Sequence, residues 1–101
     1  METCMPTDTA LEILAAFRQK RRLNPAADRA TLFKYVLWDR FKGRMILDSD
    51  IDRMVAQSST LGDLAFHVLA REKPAMTDGR LEQTAREAIR KYFVLNCPDE
   101  A

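Results

Sequence analysis

The chain has 101 residues, the length of one domain and too short for two. Hydrophobic residues make up 47% and charged residues 31%, with only three glycines and four prolines, a balance that fills one core and excludes disordered and low-complexity classes. So few turn formers also argue against a sandwich or barrel, and a formal net charge of +1 selects no partner.

Capping chemistry and apolar spacing predict an all-α bundle of five helices in a single domain, 1–101. The first runs over 9–22. Thr9-Ala10-Leu11-Glu12 has the form of a capping box, Leu11, Leu14, Ala15 and Phe17 form the apolar stripe, and Arg18, Lys20, Arg21 and Arg22 suit the negative end of the helix dipole. The second runs over 25–42, with Asn24 as N-cap and Pro25 at the first helical position. Ala30, Phe33, Val36, Leu37 and Phe41 keep helical spacing, Leu32, Tyr35 and Trp38 widen the arc, and Gly43 takes the left-handed conformation that ends the helix. Trp38 is expected in core or edge packing.

Ser49-Asp50-Ile51-Asp52 opens a two-turn helix over 50–57 that buries Ile51, Met54 and Val55. Gln57-Ser58-Ser59 interrupts it, and Thr60-Leu61-Gly62-Asp63 caps a fourth helix over 61–72. The same apolar positions also fit one unbroken helix from 50 to 72 with Ser58 facing inward; the break is preferred. Thr77 or Asp78 caps the fifth helix, 78–95, where Leu81, Ala85, Ala88, Ile89, Tyr92 and Phe93 recur at steps of three and four. Pro98 stops it.

The residues offer little for bond-making chemistry. His67 is the single histidine, has no nucleophile at a recognisable spacing, and is expected at the surface or partly packed. Asp48, Asp50 and Asp52 begin like a calcium loop, but Arg53 stands at the glycine position and Ser59 at that of the bidentate glutamate. Helix-start duty fits these acids better. Glycines only at 43, 62 and 79 make no phosphate loop, and one histidine with two distant cysteines makes no zinc site. The chain is expected to be no enzyme and to hold no metal. Cys4 and Cys97 are expected as thiols, with a bridge between the termini as the alternative. No stretch has the length or apolar content of a membrane span or a leader, which points to the cytoplasm.

Charge is unevenly spread. Residues 18–44 hold nine basic and two acidic side chains, a net +7, whereas 45–70 hold four acids and Arg53, a net −3. Arg18, Lys20, Arg21, Arg22, Arg40, Lys42 and Arg44 therefore form the candidate binding surface for phosphates or for an acidic protein. A helix-turn-helix over 50–72 would present Asp63, His67, Arg71 and Glu72, which is poor equipment for a polyanion.

From Trp38 to Lys73 the order is a long helix closing on Phe41, the acidic turn Ile46-Leu47-Asp48-Ser49-Asp50, a short helix with Ile51, Met54 and Val55, and Ser59-Thr60-Leu61-Gly62-Asp63-Leu64 opening the next. This third of the chain resembles the second half of an acyl or peptidyl carrier protein. The resemblance implies a serine bearing a phosphopantetheine arm at the start of the long helix, but the aligned point, Ala27-Asp28-Arg29, has none. Asp48-Ser49 is the one Asp-Ser pair, so Ser49 is the candidate arm site. Aligning the arm there puts the second helix where the family has a loop.

The expected function is a small non-catalytic helical interaction module, possessing a degenerate carrier-like segment and binding another protein or a second copy. Helix 5, with Tyr92, Phe93, Val94 and Leu95 exposed near its end, or the broad apolar arc of helix 2, supplies the contact. The alternatives are a nucleic-acid-associated regulator using the basic surface, and a working carrier modified at Ser49.

Overall fold

The computed structural model describes residues 5–98. In chain order they form α1 (Pro6–Leu23), α2 (Arg29–Arg40), α3 (Asp48–Ala56), α4 (Leu61–Glu72), a single 3-10 turn at Pro74–Met76, and α5 (Leu81–Asn96). The all-α architecture agrees with the sequence reading; several helix starts do not.

Helix α1 begins three residues before the expected Thr9. Pro6 occupies the first helical position, where its missing N–H costs nothing, and the Met5 N–H donates to Asp8 Oδ2 at 2.9 Å. Thr9 is thereby released from capping and lies buried inside the helix. The core stripe is Ala10, Ile13, Leu14 and Phe17; Leu14 and Phe17 are buried as predicted, whereas Leu11 and Ala15 face outward.

Asn24 closes α1 instead of opening α2. Its backbone N–H and its side-chain Nδ2 both donate to the Lys20 carbonyl, at 2.9 and 3.0 Å, satisfying an orphan acceptor of the last turn. Pro25 falls in the following turn, and α2 starts four residues later than expected. Asp28 is the cap: its Oδ1 accepts from the Thr31 N–H at 2.8 Å, and hydrogen bonds from the Thr31 side chain and backbone hold the carboxyl below its ordinary range. Leu32, Phe33, Val36 and Leu37 go into the core, whereas Ala30 is exposed and Trp38 is 45% exposed. The helix ends at Arg40, and Gly43 has φ +79°, the left-handed geometry predicted for it.

Helix α3 starts at Asp48, with Leu47 in the cap position, so Ser49 is a first-turn residue and caps nothing. The break before α4 is real. Ser58 does point inward, but its Oγ donates to the Met54 carbonyl at 2.6 Å and closes α3. Thr60 Oγ1 then accepts from the Asp63 N–H at 3.1 Å while Asp63 Oδ2 accepts from the Thr60 N–H at 3.3 Å, the reciprocal cap read from the sequence, and α4 has the predicted bounds. Neither Thr77 nor Asp78 caps α5 through its side chain: the Thr77 hydroxyl donates to the Pro74 carbonyl, and the helix opens after Arg80 with no side-chain cap.

Helix α1 lies centrally against α2, α4 and α5, α4 packs on α5, and α3 rests on α2 and α4. Phe33, Phe93, Ile13, Leu37, Leu61, Leu64, Leu69 and Ile89 are the largest side chains enclosed in the core. Phe17 and Phe33 meet edge to face, with centroids 5.7 Å apart, joining α1 to α2. Among the described residues every buried side-chain nitrogen and oxygen is hydrogen-bonded, and no helix is long and apolar enough to cross a membrane.

Candidate interaction surfaces

The seven basic residues of the predicted surface do not act as one patch. Arg40 reaches across the bundle to Glu72 on α4, with Nη2 2.8 Å from Oε1 and Nε 3.2 Å from both carboxylate oxygens, and its Nη1 lies 3.3 Å from Glu12 Oε2 on α1. Arg44 Nη1 completes the group at 2.7 Å from Glu72 Oε2. Burial alone would push the Glu72 carboxyl up and the Arg40 guanidinium down. Their paired charges and hydrogen bonds outweigh burial, so the Glu72 pKa is lowered and the Arg40 pKa raised. Lys20 pairs with Asp39 on α2. Arg40, Arg44 and Lys20 thus tie helices together.

The remaining members lie apart. Arg21 stacks over the Phe17 ring at 5.5 Å, beside Arg18 and Arg22 on the exposed end of α1. Among the described residues Arg22 and Lys42 have no ion-pair partner. At the other candidate contact, Phe93 is only 1% exposed and belongs to the core, packed beneath α4, which corrects its expected exposure; Tyr92 is half-buried, and Val94 and Leu95 are the exposed members of that run. Ser49 stands exposed on the first turn of α3. His67 is half-buried with its ring 5.9 Å from Phe66. Cys97 is buried, and Cys4, the other half of the considered bridge, lies outside the described residues.

Two surfaces emerge, each combining residues of a predicted contact, Tyr35 and Trp38 of α2 or Phe93 and Val94 of α5, with residues that helical periodicity did not single out. The first is an apolar ridge at the end of α2 and in the loop after it. Trp38 (45% exposed) lies against half-buried Tyr35, with ring centroids 5.8 Å apart. Beyond the turns at 41–44, Met45 is fully exposed and Leu47 67% exposed, while Ile46 between them packs on the core. The signal in the sequence is local: large apolar residues between Gly43 and Asp48, in a stretch too short and too turn-rich to be a helix face. The ridge is bordered by Asp48 and by Asp52, which pairs with Lys34 at 3.1 Å.

The second is a groove of about 470 Å³ between the start of α4 and α5. Phe66 and Phe93 back it, Val94 forms one wall, and Arg86 and Arg90, one turn apart, stand at its mouth. Gly62 is part of its lining, with the position of a Cβ there 3.6 Å from Phe93 Cδ2, in ordinary van der Waals contact. The Arg86 guanidinium lies 3.9 Å from the centre of the Phe66 ring, a close cation–π contact. Searches for this chain's relatives among known protein families, curated proteins and solved structures find no match.

Proposed function

We propose that the protein is a non-catalytic helical docking module that engages another protein chain through the ridge of Tyr35, Trp38, Met45 and Leu47. The observation that carries this reading is the exposure of three large apolar side chains, Trp38, Met45 and Leu47, within the stretch 38–47. Single exposed apolar residues are ordinary and need no account. A tryptophan and a methionine beside a tyrosine are different, because these types are enriched in the energetically dominant centres of protein interfaces. The core does not need them: the buried faces of α2 and α3 are filled by Leu32, Phe33, Val36, Leu37, Ile51 and Met54.

The nucleic-acid reading has less support, since Lys20, Arg40 and Arg44 are engaged by carboxylates of the same chain and Asp48 and Asp52 border the ridge. The test is affinity capture from source-cell extract with the wild-type chain and with Trp38→Ser/Met45→Ser. Both substitutions are at exposed sites, so the helical circular dichroism of the variant should match that of the wild type. A protein retained by the wild type and lost by the variant is the expected result; identical retention by both contradicts the ridge as the docking surface.

A further inference from the structure

We propose that Glu72 and Arg44 form a latch by which the last turn of α4 fixes the connection between α2 and α3, and so positions Met45 and Leu47 for docking. The inference rests on the ridge reading for the use of the latch, and on the geometry of α4 and the connection for its existence.

The connection has little of its own to hold it. It leaves α2 at Phe41, turns through Gly43 in the left-handed conformation and enters α3 at Asp48. Within it the Arg44 N–H donates to the Phe41 carbonyl and the Ile46 N–H to that of Arg44, both at 3.0 Å. Backbone bonds in exposed turns open readily. Phe41 and Ile46 seat its two ends in the core, which leaves the turn between them to be held by side chains.

The end of α4 supplies that hold. Arg44 Nη1 lies 2.7 Å from Glu72 Oε2, and the same guanidinium lies over the Phe41 ring at 5.7 Å. The carboxylate is itself fixed, because Arg40 grips it by three hydrogen bonds and the Glu72 side chain is mostly enclosed. A charge-assisted bond to such an acceptor is stronger than an exposed surface pair. Arg71, one residue before Glu72, approaches the Phe41 ring at 6.0 Å and Asp50 of α3 at 3.7 Å. The last turn of α4 therefore brackets the connection from Phe41 to the start of α3. Lys42, two positions before Arg44 and of the same charge, has no ion-pair partner among the described residues.

Met45 follows Arg44 directly and is fully exposed, so one side chain is fastened to α4 while the next is presented. Apolar side chains offered from a fixed backbone lose less conformational freedom on binding than those offered from a mobile turn. Glu72 is thus a positioning residue, acting on the ridge through Arg44 without belonging to it.

Backbone nitrogen relaxation by NMR tests the latch on the full chain with no partner present. Wild-type amides of residues 44–47 should have order parameters near those of rigid helix, about 0.85, and Arg44→Ala should lower them below about 0.6. Glu72→Ala, which removes the other half, should do the same, while Leu64 and Val68 of α4 stay rigid and Lys42→Ala leaves the connection unchanged. General loss of stability would loosen α4 as well. A wild-type connection already below about 0.6, no fall in Arg44→Ala, or an equal fall in Lys42→Ala each overturn the proposal. In the capture experiment Glu72→Ala should retain about tenfold less of a protein that depends on Trp38 and Met45. If it retains as much as the wild type, the positioning role falls and the ridge reading stands. If the Trp38→Ser/Met45→Ser chain also retains as much, the ridge reading falls, and the order parameters still decide whether the latch exists.

Discussion

Replacing Phe93 by alanine is expected to lower the unfolding free energy by about 3–5 kcal/mol, a large part of the ~5–15 kcal/mol that holds a domain folded. Phe93 is 1% exposed on the inner face of α5, in line with Ala85 and Ile89 at steps of four, and it lies within van der Waals reach of where α4 passes at Gly62. Truncation removes a whole ring from water-free packing and leaves a cavity that fixed helices close only in part. Leu95→Ala, two residues on and 70% exposed, should change stability by less than about 0.5 kcal/mol. Urea unfolding followed by circular dichroism separates the two. Equal losses at both positions would mean that α5 does not present the face described.

Glu72→Gln is expected to cost about 1–2 kcal/mol. Glu72 is the acceptor that Arg40 and Arg44 share, and its side chain is only 12% exposed. Glutamine keeps the shape and one acceptor oxygen but loses the charge that offsets the burial of Arg40, which leaves Glu12 as the one carboxylate beside a partly buried cation. The substitution also alters the response to acid. The folded chain holds the Glu72 pKa below its ordinary value of 4.5, so the stabilisation is present above that value and is lost as the pH falls through the lowered one. The difference in unfolding free energy between wild type and variant should therefore be constant near neutrality and shrink below about pH 4.5. A difference that does not change with pH would show that the pair contributes nothing through its charge.

The elements that were legible in the sequence are those whose caps are reciprocal and local. Thr60 and Asp63 satisfy each other's backbone donors, and nothing farther along the chain competes for them, so α4 has the bounds its sequence implies. Asn24 could serve either as the first residue of α2 or as the last acceptor-binding group of α1. The free carbonyl of Lys20 takes it, and the start of α2 moves to Asp28. Thr9 reads as a cap by pattern, yet Pro6 and Asp8 open the helix earlier and tertiary packing draws Thr9 into the core.

Tertiary pairing hides the surface chemistry in the same way. Lys20, Arg40 and Arg44 are indistinguishable in the sequence from Arg22 and Lys42. Their separate roles depend on Glu72 and Glu12, about thirty positions away from Arg40, and on Asp39, one helix away from Lys20. Conversely, the apolar spacing of α5 places Phe93 on the same stripe as Tyr92, and only the position of α4 decides which of them is enclosed. Met45 and Leu47 carry no periodicity at all. Their exposure follows from the tight turns at 41–46, where Arg44 donates to the Phe41 carbonyl and Ile46 to that of Arg44, so that Ile46 turns inward and its two neighbours outward.

The central claim is that the stretch from Trp38 to Leu47 is where this protein meets another chain, and site-specific photocrosslinking in the source cell tests it most directly. A photoreactive side chain at Met45 should give discrete adducts that disappear in the Trp38→Ser background, while the same group at Thr84, exposed on α5 outside the groove lining, should give none. Adducts of equal yield from both positions, or none from Met45, would contradict the account.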